Sequence, residues 1–154
     1  MSEEGSELAG FLPYQLSVTS NAVSGLIAER YRKRFGLKMP EWRVMAVLGD
    51  AEAAGRELTQ RALTAATVMD KVAVNRAARV LEERGLIARV PNPGDGRSHL
   101  LALTAEGKAI HAEVMPLARA TEADLLDGLA PDEEALLRRL LSGLRERAMQ
   151  LAEG

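Results

Sequence analysis

Apolar residues recur at three- and four-residue intervals over most of this chain, which is the spacing of helices with one buried side. Residues 11–35 read as a long first helix, with Leu12, Leu16, Val23, Leu26, Ile27 and Tyr31 supplying its apolar surface. Pro13 is compatible with that helix only near its start. The basic run Arg30, Arg32, Lys33 and Arg34, with Gly36 beyond it, complements the helix dipole and marks the stop. A second helix is expected over residues 39–51, with Pro40 in its first turn. Trp42, Val44, Met45, Val47 and Leu48 make it apolar on more than one side, so it belongs between other elements. Gly49 and Gly55 are read as bracketing the turn after it.

The pattern changes over residues 58–104. Leu58, Ala62 and Leu63 open a short helix that ends in the break TAATVMD, where Asp70 can cap another helix beginning at about Lys71. Met69 and Val74 flank that cap at the spacing of a hydrophobic staple. Val74, Ala77, Ala78 and Leu81 then share one face, whereas Lys71, Asn75, Arg76 and Arg79 lie largely elsewhere. Arg84 and Gly85 supply the stop. Beyond the stop, the chain reads as two strands, residues 86–91 and 98–103, joined by NPGDGR, in which Pro93, Gly94 and Gly96 mark a turn.

Thr104 can cap a further helix from Ala105, continuing through Ala109, Ile110, Val114, Ala118 and Leu125. Pro116 lies inside it and predicts a kink or break near Val114 or Met115. Pro131, followed by Asp132, Glu133 and Glu134, starts the last helix. Leu136, Leu137, Leu140, Leu141, Leu144, Ala148 and Leu151 recur along it. Together with the first helix this is more apolar surface than one short helix buries alone. A two-fold dimer built from the terminal helices accounts for it, and ordinary intrachain core is the alternative.

Composition narrows the chemistry. A chain of 154 residues, 47% hydrophobic and 27% charged, can bury one good core. The lack of cysteine excludes disulfides and thiolate metal sites, and only His99 and His111 offer imidazole. The opening MSEEGSEL is acidic and unlike a secretory signal, and no apolar run is long enough to span a membrane, so a cytoplasmic protein is expected. The net charge of −2 hides an asymmetry: residues 56–97 hold eight Lys/Arg against five Asp/Glu, a net of +3, and the remainder carries −5. A basic face on an acidic body still docks phosphate, because local potential governs the encounter.

These elements in this order suggest recognition of duplex DNA. A helix carrying Lys71, Asn75, Arg76 and Arg79 on its free side fits a major groove, small Ala77 and Ala78 let the preceding helix cross closely, and Arg97 at a ribbon tip can enter a narrow minor groove. Asp95 can hold a neighbouring guanidinium by a charge-assisted bond.

The chain resembles the MarR family of bacterial winged-helix regulators over about residues 8–151. The likeness is carried by Leu58-Thr59-Gln60, by Asp70-Lys71-Val72-Ala73-Val74-Asn75-Arg76, by Leu81-Glu82-Glu83-Arg84-Gly85-Leu86-Ile87 with Arg89, by Asp95-Gly96-Arg97 and by Leu103-Thr104-Ala105-Glu106-Gly107. It implies a mainly α fold with a small two-stranded β wing: a winged helix-turn-helix over residues 37–104 between helical dimerisation regions 8–36 and 105–152. By the same resemblance Lys71, Ala73, Asn75, Arg76, Arg79, Asp95 and Arg97 are the expected DNA contacts. Ala73 and Asn75 stand where the family commonly has small hydroxylated residues.

The implied protein is a homodimeric, ligand-responsive repressor of a pseudopalindromic operator. Its effector, a small aromatic carboxylate, a phenolic compound or an acyl-coenzyme A ester, would enter between the dimer helices and the DNA-binding lobe. Tyr14, Ser17, Asn21, Trp42, Arg43, His111 and Met115 are the candidate contacts, since they bring polar or aromatic groups to those helices. No cofactor, metal site or membrane partner is expected. A metal-responsive regulator and a winged helix used only for protein interaction remain as alternatives. An enzyme is disfavoured, because no nucleophile–base pattern, glycine-rich phosphate loop or paired-carboxylate constellation appears.

Overall fold

A computed structural model describes residues 7–154; the first six residues of the acidic opening, part of the stretch read as unlike a secretory signal, lie outside the described residues. The order of elements is α1 (Leu12–Phe35), α2 (Met39–Ala53), β1 (Leu58–Thr59), α3 (Gln60–Thr67), α4 (Lys71–Glu83), β2 (Ile87–Asn92), β3 (Asp95–Leu103), α5 (Ala105–Leu126) and α6 (Pro131–Glu153). The chain divides into two compact units, Met1–Leu117 and Ala118–Gly154. No helix among the described residues is long and apolar enough to cross a membrane.

The first unit is built around α2. Val44, Met45, Leu48 and Ala51 of this helix are buried with Leu63 of α3, Val74, Ala77, Ala78 and Leu81 of α4, Leu101 and Leu103 of β3 and Val114 of α5. The end of α1 closes the core through Tyr31, with Leu37 beyond it. Gly36 ends α1 at φ 65°, and the Arg84 guanidinium donates to the Phe35 and Gly36 carbonyls at 2.9 and 3.2 Å. The end of α4 is thereby tied to the end of α1, and orphan carbonyls gain a cationic donor.

Three local expectations change. Leu58 does not open the third helix. With Thr59 it pairs antiparallel with β3, in the register Leu58↔Leu101 and Thr59↔Leu100, making a three-stranded sheet in the order β1-β3-β2 where two strands were expected. The free edge of β3 supplies ladder partners that a helical start would lack. Thr59 then caps α3, its hydroxyl accepting from the Ala62 N–H at 3.1 Å; Ala62 faces solvent, and Leu63 and Thr67 form the inward face.

Gly49 lies inside α2 and marks no turn. A methyl group there would run into the His111 imidazole, so glycine opens a space for a side chain from α5. Finally, α5 continues unbroken across Pro116, and the division between the units falls just after Leu117. Flanking turns keep a helix intact around one missing donor when it packs on both sides of the residue in sequence, and Val114 and Leu117 both join the core.

In the wing β2 keeps the expected six residues, one position later, while β3 begins three residues earlier than expected. β2 and β3 pair from Ile87↔Leu103 to Asn92↔Asp95, with an irregularity between Pro91 and Asn92, leaving only Pro93 and Gly94 in the loop. At the sheet's other end Thr104 accepts from the Gly107 N–H at 3.1 Å and donates to the Gly85 carbonyl at 2.6 Å, capping α5 as its sequence position predicts.

The second unit contains the end of α5 and all of α6. Arg138 joins its two helices, reaching Glu122 at 3.6 Å and Glu134 at 2.9 Å. Glu133 accepts from the Ala130 N–H at 2.8 Å and satisfies one donor at the start of α6. No residue of α6 is buried.

Candidate nucleic-acid interface

Helix α4 is set in place from both ends of its amphipathic pattern. Asp70 accepts from the Ala73 N–H at 2.8 Å, and Val74, Ala77, Ala78 and Leu81 are all buried, as their spacing predicts. Met69 packs against the same core, consistent with a staple. Lys71, Arg76 and Arg79 are left exposed on the outer side, with Ala73 and Asn75 half-buried beside them. Val72, Asn75, Arg76, Arg79, Val80 and Glu83 line a shallow depression along this side of the helix.

The wing stands next to it. Asn92 accepts from the Gly94 N–H at 3.0 Å and donates to Ser98 at 3.0 Å, so the turn is closed by its own side chains. Asp95 accepts from the Arg97 backbone N–H at 3.0 Å. That corrects the expectation of a carboxylate–guanidinium pair: among the described residues Asp95 shapes the backbone under Arg97, and its short side chain reaches the local N–H first. Arg97 itself is exposed.

Between α3, the start of α4 and the wing runs an open cleft of about 770 Å³, lined among others by Arg61, Thr64, Lys71, Arg89, Arg97 and His99. Arg89 is paired with Glu82 at 2.5 Å, so part of its charge is already answered. Four cationic side chains around one groove beside a helix with an open polar side form a surface complementary to a duplex backbone. Residue-by-residue reading missed Arg61 and Arg89, although both contribute to the net positive charge of residues 56–97. It also missed Gln60, whose Nε2 donates to Asn75 Oδ1 at 2.8 Å. Nothing in helical spacing reports such a contact across two helices.

Two exposed valines add an apolar element. Val72 lies in the first turn of α4, and Val68 precedes it in the break between the helices, 86% exposed and at φ 55°. A β-branched side chain in the left-handed region is strained, typically by about 1–3 kcal/mol.

The candidate ligand residues fall into separate groups. Trp42 stacks on His111 with ring centroids 6.0 Å apart and meets Tyr31 at 5.1 Å. Trp42 and Arg43 line a cavity of about 190 Å³ with Ser24, Tyr31 and Met39. Arg43 also donates to the Thr67 carbonyl at 3.4 Å. Burial pushes the Tyr31 phenol above its ordinary pKa, with Arg43 opposing, and holds His111 below its own, with Glu52 opposing. Tyr14, Ser17 and Asn21 are exposed on the first half of α1 and do not line this cavity; Ser17 donates to the Pro13 carbonyl at 3.1 Å. Met115 is half-buried in α5 and lies outside the cavity lining as well.

A family model described as MarR family matches residues 35–98, from the end of α1 to the wing. Transcriptional regulator HosA of Escherichia coli O111:H- is 30% identical over 105 residues, which covers 68% of this chain and 75% of HosA. An HTH-type transcriptional repressor of Mycobacterium tuberculosis is 28% identical over 109 residues, 71% of this chain and 76% of that protein. The crystal structure of a MarR/EmrR family transcriptional regulator from Acinetobacter sp. ADP1 superposes with a TM-score of 0.81 at 27% identity, covering 90% of this chain and 95% of the other.

Proposed function

The chain belongs to the MarR family of transcription regulators, which bind DNA, and we propose that it is a homodimeric repressor whose hold on its operator is set by a small-molecule effector. The observation that carries the reading is the outer side of α4, open and cationic next to an exposed Arg97 and a positively lined cleft. In this reading α4 enters the major groove, with Asn75 and Arg76 at base edges, while Lys71, Arg79 and Arg97 hold the backbone and the adjoining minor groove. The protein acts where the chromosome is, in the bacterial cytoplasm.

The fully unburied α6, with Leu140 59% and Leu151 63% exposed, supports a second copy as its partner. Two-fold pairing would set two α4 helices about 34–36 Å apart on successive major grooves and so ask for a pseudopalindromic operator.

For the effector, the cavity beside Trp42 and Arg43 combines aromatic walls with a guanidinium. Its size is near that of a cavity known to hold a benzene ring, which favours a small aromatic carboxylate or phenol over a coenzyme A ester. A carboxylate bound by Arg43 would compete with the Thr67 carbonyl at the end of α3, giving the ligand unequal affinity for two placements of the reading helices. Selection of genomic fragments with the purified protein tests the whole reading. A recovered inverted repeat, released by an aromatic carboxylate, is expected; no duplex retained even at low salt would leave a protein-interaction module instead.

A further inference from the structure

Gln60, the first residue of α3, is hydrogen-bonded to the reading helix: its Nε2 donates to Asn75 Oδ1 at 2.8 Å. Its own Oε1 is buried and, among the described residues, has no hydrogen-bond partner. Turning the Gln60 amide over would put an NH2 group with two unanswered N–H bonds in that buried place. A single under-satisfied carbonyl is the more tolerable arrangement, so the direction of the bond is determined by burial at Gln60.

The consequence falls on Asn75. An asparagine free to turn can present its carbonyl or its NH2 to a base, and uses both when it pairs with adenine. With Oδ1 engaged by Gln60, Asn75 has its Nδ2 donors left for the groove. We propose that Gln60 is a positioning residue that commits the Asn75 amide to donate, so that the base pair opposite Asn75 is selected for major-groove acceptors, with the N7 and O6 of guanine the best match. This rests on the reading that α4 lies in the major groove.

Operators recovered from a random duplex pool by the full-length parent protein and by Asn75→Ala identify the base pair that Asn75 reads. At that pair the parent is expected to favour guanine, and Gln60→Leu, which keeps the bulk but cannot donate, is expected to lose at least about fivefold of the preference. Preferences at the other pairs should stay within about twofold. Gln60→Glu is the decisive second variant: a carboxylate only accepts, so Asn75 must turn its Nδ2 inward and offer its carbonyl to DNA. The preferred base at that one position should then change to one that presents an amino group, cytosine or adenine. Because each readout is a ratio between duplexes, a general loss of affinity from the added charge does not mimic it. Parent-like preference at that pair in both Gln60 variants, or a loss spread evenly over all pairs, would overturn the proposal. An Asn75→Ala profile identical to the parent's at every pair would sink the placement of α4 itself, and the role of Gln60 with it.

Discussion

His111 joins α5 to α2 through its ring, which stacks on Trp42 and occupies the room that Gly49 leaves open. Burial lowers its pKa, so the folded chain takes up a proton less readily than the unfolded chain does. Its contribution to stability is complete above the unfolded value of about 6.5 and is lost as the pH falls through that value toward the lower folded one. His111→Phe keeps a ring on Trp42 and cannot titrate. Thermal unfolding followed by Trp42 fluorescence should therefore depend less on pH between about 5 and 7 in the variant than in the parent; equal slopes would assign the dependence to other groups. Arg97 differs in being exposed and free of any part in the core. Arg97→Ala should leave the melting temperature unchanged, weaken operator binding and reduce the slope of log affinity against log salt by about one, measured by anisotropy titration at several salt concentrations.

Among the elements, the junction of wing and α5 tolerates least. Gly107 lies so close to the backbone of Leu86 that a methyl group would collide with its carbonyl, and backbone cannot swing aside as a side-chain tip can. Gly107→Ala is expected to cost about 1–3 kcal/mol in urea unfolding, more than the small gain from replacing glycine in a helix. In the sequence this glycine stands out only as part of a family resemblance. By contrast the Asp70 and Thr104 caps, the buried face of α4 and the stop at Gly85 were legible, because each depends on residues within one turn of each other. Leu58 was not. One leucine satisfies a helical and an extended pattern equally, and the unpaired edge of β3, more than forty residues away, decides between them.

At the scale of the molecule, the leucines of α6 remain 40–63% exposed among the described residues, and none of them is buried. Leu140→Glu together with Leu144→Glu should leave the secondary structure intact and convert the proposed dimer to a monomer in sedimentation equilibrium, since paired buried charges without partners disfavour the interface by several kcal/mol. Affinity for the full operator should fall to that of a half-site, because only the dimer engages two grooves at once. A variant that stays dimeric would place the contact on another surface.

Local patterning determined the number of helices, the Asp70 and Thr104 caps, the inward face of α4 and the basic character of residues 56–97, because these depend on residues three or four apart and on summed charge. The tertiary structure decided whatever depends on partners distant in the sequence. It paired β1 with β3, moved Asp95 from a guanidinium to the backbone of its own turn, carried α5 through Pro116 and set Gln60 against Asn75. Hydrogen bonds have short range, and only the folded chain brings such groups within it.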